Sequence, residues 1–443
     1  MQFRNPYPVR WRQSQAAFKK AERRKYFLRR LVLTAAIAVF IIGGLSLFYF
    51  VGRGLSRSSD QTAQTPVHQN KVNFVRSDRF SRQDLMDYLS NSVGNTSGLA
   101  DQLVWDKDGA RFRITTTIDS KLQRYTMRLL RSSMTLQSAV VVLNPYDGRV
   151  LTMASRDKNG NRENLCLKAD FPAASLFKIV SAAAALETAG YSPDKALFFN
   201  GSRHTLYKYQ LSDSQGRYSM ATTFRKAFAV SNNSVFGKIG IYELGQKTVV
   251  DYAEKFRFNR SISFDLPVEI STIEVPGDEF GLAEITSGFN KKTLLSPLHA
   301  ALLASVAVNR GRMPKPWIVR NVSEEMDEIV YQGRRSGLDS SINSKTAADL
   351  KVLMQDAARY GTGRTTFRKL RRQRTLKGFD LGAKTGTIND RSDRFKYDWI
   401  VAFAVNSDGS DGICVGILSV HGKLLGTRAT ELARAIIDYH FAS

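Results

Sequence analysis

Ser175-Leu-Phe-Lys-Ile-Val-Ser-Ala-Ala-Ala-Ala-Leu186 is the stretch on which the reading of this 443-residue chain turns. It is apolar, holds four consecutive alanines, which are the strongest helix formers, and is closed by Gly190. It opens with a serine and carries a lysine three positions later. Positions i and i+3 share a helix face, so Lys178 reaches the Ser175 hydroxyl. A helix N-terminus also favours negative charge that develops beside it. A serine hydroxyl is a poor nucleophile until a base takes its proton, and an adjacent lysine amine is such a base when neutral.

The same Ser-x-x-Lys spacing recurs at Ser155/Lys158 and Ser192/Lys195. Context separates the three. Ser192 precedes Pro193 just beyond Gly190 and reads as a loop. Ser155 ends a hairpin strand and runs into Arg-Asp-Lys-Asn-Gly160, again a loop. Only Ser175 opens an apolar helix. Farther along, Ser231-Asn-Asn233 punctuates two apolar helical stretches, Phe224 to Val230 and Val235 to Ile239. A second Ser-x-Asn, Ser341-Ile-Asn343, precedes a polar helical pattern and reads as capping. Lys384-Thr-Gly-Thr387 occurs once, on a predicted strand.

The surrounding pattern gives the fold class. Ala139-Val-Val-Val-Leu143 and Arg149-Val-Leu-Thr-Met153 flank Asn144-Pro-Tyr-Asp-Gly148, a hairpin with turn chemistry. Before it, residues 111–118 alternate as a strand, and Asp119 caps a helix bearing Leu122, Tyr125, Leu129 and Leu130 on one face. Helices are predicted near 222–256, 297–309, 345–360 and 427–441, and strands at Leu381 to Thr387, Trp399 to Val405 and Ile413 to Val420. Strands first, helices in the middle and strands last predict an α+β fold, one antiparallel sheet flanked by helices.

Composition places the chain. Apolar residues make up 43% and the net charge is +25. Residues 1–57 hold twelve Lys or Arg against Glu22, leaving 25 − 11 = +14 for the rest. That balance favours anionic partners. Leu31 to Gly52 is a run of 22 uncharged residues, about 33 Å as a helix, enough to cross a bilayer. Ten Lys or Arg precede it, so the N-terminus is expected in the cytoplasm and residues 53–443 outside. This topology argues against nucleic acid as a partner. Cys166 and Cys414 match no zinc or redox spacing; a disulfide between them is an open alternative to two thiols. The five histidines form no ligand spacing, and neither a metal nor an organic cofactor is expected.

Ser-x-x-Lys, Ser-x-Asn and Lys-Thr-Gly, in this order and each in fitting local structure, make the chain resemble the transpeptidase domain of penicillin-binding proteins, which shares its fold with serine β-lactamases. Phe264-Asp-Leu-Pro267, Leu295-Ser-Pro-Leu-His299 to Gly311, Gly361-Thr-Gly363 and Trp399-Ile-Val-Ala-Phe403 extend the likeness over about residues 136–443. The expected organisation is a basic cytoplasmic tail (1–30), a transmembrane helix (31–52), a linker (53–80), a small N-terminal segment (81–135) and the transpeptidase domain (136–443). The resemblance implies Ser175 as nucleophile, Lys178 as base and Ser231 as proton relay. Asn233, Lys384, Thr385, Gly386 and Thr387 would bind substrate, with the backbone N–H groups of Ser175 and Thr387 as oxyanion hole. Implied partners are peptidoglycan stem peptides ending in D-Ala-D-Ala, β-lactams, membrane lipid and a separate membrane glycosyltransferase. A D,D-carboxypeptidase, a β-lactamase and a catalytically weak scaffold or sensor are the alternatives. The basic cluster Arg364, Arg368, Lys369, Arg371, Arg372, Arg374 and Lys377 reads as a solvated loop, or else a docking site for an anionic partner.

Overall fold

A computed structural model describes residues 78–93, 99–324, 328–333, 337–390, 392 and 394–442. The expected membrane span and all but the last residues of the expected linker lie outside this range. Among the described residues no helix is long and apolar enough to cross a membrane.

Among the described residues, nine of the strands and nine of the helices frame the site and its sheets. The strands are β1 (Gln102–Lys107), β2 (Ala110–Thr116), β3 (Gln137–Leu143), β4 (Val150–Asp157), β5 (Val319–Glu324), β6 (Glu328–Gln332), β7 (Phe379–Asn389), β8 (Lys396–Asn406) and β9 (Gly412–His421). The helices are α1 (Ser120–Ser132), α2 (Lys178–Thr188), α3 (Phe224–Ala229), α4 (Asn233–Ile239), α5 (Glu279–Ser287), α6 (Pro297–Val308), α7 (Ser344–Arg359), α8 (Arg364–Leu370) and α9 (Ala429–Ala442). A five-stranded sheet runs β7-β8-β9-β3-β4, antiparallel throughout. The expected α+β class therefore holds.

The sheet is covered on both faces, and its sequence shows why. Ala139, Val141, Leu143, Trp399, Val401 and Phe403 face a core shared with α2 and α6. Their neighbours Val140, Val142, Ile400, Ala402 and Ala404 face a second core closed by α1, α8 and α9. Side chains alternate between faces along a strand, so a strand buried on both sides reads as an unbroken apolar run. Because β7 is an edge strand, one row of its backbone groups is open to a ligand.

Several local expectations hold and several change. Asp119 accepts from the N–H groups of Lys121 and Leu122 at the start of α1, and Asn343 caps α7 through the N–H of Thr346. Ser155 lies inside β4, fully buried, where its hydroxyl accepts from the N–H of Leu165, so it packs rather than starting a loop. Cys166 and Cys414 are separate buried thiols, both pushed up by burial. The segment before β3 is tied into the chain's later half: β2 pairs with β5, giving a four-stranded sheet β1-β2-β5-β6.

Asp265, from the Phe-Asp-Leu-Pro stretch, shows what holds this second sheet in place. One buried carboxylate oxygen accepts from the N–H groups of Ile318 and Val319, at 2.8 and 3.0 Å. Asp265→Ala leaves both donors unpaired and is expected to lower stability by about 2 kcal/mol, read as a lower urea midpoint. An unchanged midpoint contradicts this assignment.

Candidate active site

Ser175 does not sit in an α-helix. It lies in a single tight 3-10 turn, Ala174–Phe177, and α2 begins only at Lys178. Two apolar anchors fix the turn: Phe177 packs edge-on to Phe258, and Trp399 donates its indole N–H to the carbonyl of Pro172 at 2.9 Å. Ala174 has φ +50° and Ser231 has φ +58°. Left-handed backbone is strained for residues with a Cβ, and such residues concentrate where surrounding structure holds a group in a required place. Here one directly precedes Ser175 and the other is itself a candidate residue. Gly288 makes the first arrangement fit: a Cβ there would meet the Ala174 carbonyl oxygen at 2.1 Å.

The eight expected residues converge. Lys178 is fully buried, with Nζ 3.0 Å from Ser175 Oγ, 2.8 Å from Asn233 Oδ1 and in contact with the carbonyl of Ser287. Burial first, and the charge of Lys384 second, hold its pKa well below the ordinary lysine value. A neutral amine has two N–H groups and one lone pair. Donating to Asn233 and Ser287 leaves the lone pair for the Ser175 hydroxyl, which is the arrangement of a base poised on a nucleophile.

Lys384 is the second buried lysine. It donates to Ser231 Oγ at 2.9 Å and to the carbonyl of Thr385 at 2.8 Å. Burial pushes its pKa down to about 7. Each lysine nitrogen lies 5.6 Å from an aromatic centroid, Lys178 over Phe236 and Lys384 over Phe228, where the ring favours whichever of the two carries charge. These faces offset part of the desolvation. Ser231 is thus held by Lys384, while Lys178 is held by Ser175, Asn233 and Ser287. A relay through Ser231 requires its hydroxyl to reorient between the two amines.

Asn233 keeps one hydrogen for the expected substrate contact. Its Oδ1 is taken by Lys178, and one Nδ2 hydrogen goes to the carbonyl of His204 at 3.0 Å, so one amide hydrogen remains. On β7, Thr385 Oγ1 donates to Thr362 Oγ1 at 2.6 Å. The Thr385 carbonyl takes the Lys384 ammonium, which marks its side of the strand as the open edge. Backbone groups repeat every two residues, so the N–H of Thr387 faces that same edge. Gly386 lies against the turn; a Cβ would sit 3.2 Å from that of Ala174.

Sequence reading missed four contributors: the Ser287 carbonyl, the His204 carbonyl, and the Phe228 and Phe236 rings; Thr362 was quoted within Gly361-Thr-Gly363 but given no role in the site. Only the two rings had a usable signal, since they flank Ser231 and Asn233 at helical spacing. Burial first, then Arg203 and the two lysines, lower the His204 imidazole. The cluster at 364–377 forms α8 and the turn beyond it, with all seven cations exposed.

Comparison with known proteins gives the family. Stage V sporulation protein D of Bacillus subtilis is 25% identical over 318 residues, 66% of this chain and 46% of that protein. Peptidoglycan D,D-transpeptidase PbpA of Mycobacterium tuberculosis is 23% identical over 369 residues, covering 73% and 72% of the two chains. This chain thus spans less than half the length of the sporulation protein. The structure of penicillin-binding protein A from M. tuberculosis as a ceftriaxone acyl-enzyme complex superposes with a TM-score of 0.58 at 23% identity, over 73% of this chain and 79% of that one. The model of the penicillin binding protein transpeptidase domain matches residues 138–438, a span that contains every residue of the two-lysine site, and the chain belongs to that family.

Proposed function

We propose that this protein is a serine D,D-transpeptidase that cross-links peptidoglycan stem peptides ending in D-Ala-D-Ala. The observation that carries the reading is the buried Lys178 amine, depressed in pKa and 3.0 Å from Ser175 Oγ. In this mechanism Ser175 Oγ attacks the carbonyl between the two D-alanines and its proton passes to Lys178. The backbone N–H groups of Ser175 and Thr387 receive the oxyanion, a term of about 3 kcal/mol per donor. Lys384 and Thr385 hold the terminal carboxylate, and the remaining Asn233 amide hydrogen meets a substrate carbonyl. Collapse of the intermediate breaks the C–N bond, and Ser231, reprotonated from Lys178, delivers the proton to the departing D-alanine amine. An amine from a second stem peptide then attacks the ester and loses its proton to Lys178, and the acyl C–O bond breaks as Lys178 returns that proton to Ser175 Oγ.

The uncharged run at residues 31–52 supports a membrane anchor with the remainder outside the cytoplasm, near lipid-linked substrate. The division into tail, span, linker, N-terminal segment and transpeptidase domain follows that reading. Strand polymerisation would then belong to a separate membrane glycosyltransferase.

Intact-mass analysis after exposure to benzylpenicillin is the direct test. One stable adduct on the parent and none on Ser175→Ala is the expected result. A folded parent that forms no adduct overturns the proposal. An adduct that disappears while the antibiotic is consumed moves the assignment to a β-lactamase.

A further inference from the structure

Between Asp356 and Asp380 the chain carries eight Lys or Arg, from Arg359 to Lys377, and no acid. All eight are exposed. The two flanking carboxylates are engaged elsewhere: Asp356 with Arg225 at 3.3 Å and Asp380 with Lys351 at 2.7 Å. None of the eight has a carboxylate partner among the described residues. Burial first and the Arg359 charge second lower the Arg371 guanidinium, the mark of like charges crowded together. A solvated face ordinarily mixes both signs, as α7 does with its Lys345–Asp349 pair. A single-sign cluster repels itself and costs stability, which sets this segment apart from an ordinary solvated loop.

The cluster joins the site at its carboxylate end. Gly361 and Thr362 link α7 to α8 and lie on the end of α3, where the Thr362 N–H donates to the Ala229 carbonyl at 3.1 Å. A Cβ on Gly361 would meet that oxygen at 2.0 Å. The Thr362 hydroxyl in turn accepts from Thr385, one of the two residues assigned to the substrate carboxylate. Arg364 follows two positions on, and the seven residues of α8 carry the charge about 10 Å farther. An uncross-linked strand repeats the stem peptide, and each copy ends in a carboxylate, so the substrate is a polyanion of which Ser175 reads one terminus. We propose that α8 and the turn after it form an exosite for this polymer, holding carboxylates of stem peptides that neighbour the one in the site. Continuity with the carboxylate-binding threonine favours this occupant over an unrelated anionic surface such as lipid headgroups. The proposal rests on the transpeptidase reading above and adds that the preferred substrate is a strand rather than a single peptide.

The test compares D-alanine release from uncross-linked glycan strands with release from the single disaccharide–pentapeptide unit, using the full chain in phosphatidylcholine bilayers. One variant carries Arg364→Gln, Arg368→Gln, Lys369→Gln and Arg372→Gln; Arg371 is kept because it donates to the Ala358 carbonyl. Exposed ion pairs each contribute a factor of about 1.5 to 5, so kcat/KM on strands should fall about tenfold, in KM rather than kcat. The single unit should change by less than about threefold, because Lys384 and Thr385 hold its carboxylate and the field of α8 is screened beyond about 8 Å at physiological salt. A second variant, Arg364→Lys with Arg368→Lys and Arg372→Lys, keeps the charge and should keep the strand rate. An equal loss on both substrates, no loss on strands, or a loss in the lysine variant as large as in the glutamine one overturns the proposal. A loss that appears only when phosphatidylglycerol is added to the bilayer also overturns it and assigns the cluster to lipid. Penicillin adduct formation, measured in parallel, separates the two levels. An adduct with no strand effect removes the exosite alone, whereas no adduct on the parent removes the acyl-transfer reading and the exosite with it.

Discussion

Lys178→Arg is expected to slow penicillin acylation of Ser175 by about 10^3-fold, within the range typical of a lost general base. Arginine keeps a long cationic side chain and could still donate to Asn233 and the Ser287 carbonyl. It cannot offer a lone pair to Ser175, because its guanidinium stays charged at any working pH. The native profile carries the matching signature. Only the neutral Lys178 amine accepts the serine proton, so the acylation rate should rise with pH through the folded-state pKa of Lys178. Burial and the Lys384 charge place that limb well below the ordinary lysine value. The arginine variant should lose this dependence. Stopped-flow acylation across pH reads both effects, and a variant slowed less than about tenfold would move the base to another group.

Selecting Ser175 from three Ser-x-x-Lys matches was legible because the discriminating signal is local. An apolar run follows one serine, while Pro193 and a polar loop follow the other two. The same holds for the sheet strands, whose unbroken apolar runs reflect burial on both faces. What failed to show was of a different kind. Alternation in Arg111 to Ile118 marks a strand but not its partner, and pairing with Val319 to Ser323 lies more than 200 residues away. The Ser287 and His204 carbonyls orient Lys178 and Asn233 through backbone atoms, which every residue has and which leave no mark on residue type. The 3-10 turn was missed because the apolar pattern is the same for either helix, whereas the turn is set by contacts from Gly288 and Gly386. Sequence named the side chains that the fold gathers around Ser175, and tertiary packing supplied the backbone groups that orient them.

Lys384→Met separates the electrostatic duties of the second lysine, and the expected loss in penicillin acylation is about 10^2-fold or more. Three interactions go at once: the cation for a ligand carboxylate, the donor that holds Ser231, and the positive charge that depresses Lys178. The last gives a readout that simple loss of binding would not. Without the neighbouring charge the Lys178 pKa rises, so the acid limb of the acylation profile moves to higher pH. Lys384→Arg, which keeps the charge, should leave that limb near its native place. Native Lys384 has a second consequence, since its pKa in the empty site is about 7. Above that pH the free enzyme loses the cation, and KM for carboxylate-bearing ligands should rise while kcat does not fall. Stability should run the opposite way. Lys384 has a folded pKa of about 7 against 10.5 for an ordinary lysine, so the unfolded chain binds the extra proton between those values and native stability increases with pH across that window. Lys384→Met removes the term; its Tm gain over the parent should be largest below about pH 7 and shrink towards pH 10. A variant that is slower yet melts higher at pH 6, with its acid limb displaced, would mean that the site carries an unpaired buried cation for reactivity at the expense of stability. A limb that stays in place would mean that Lys178 is held neutral by burial alone.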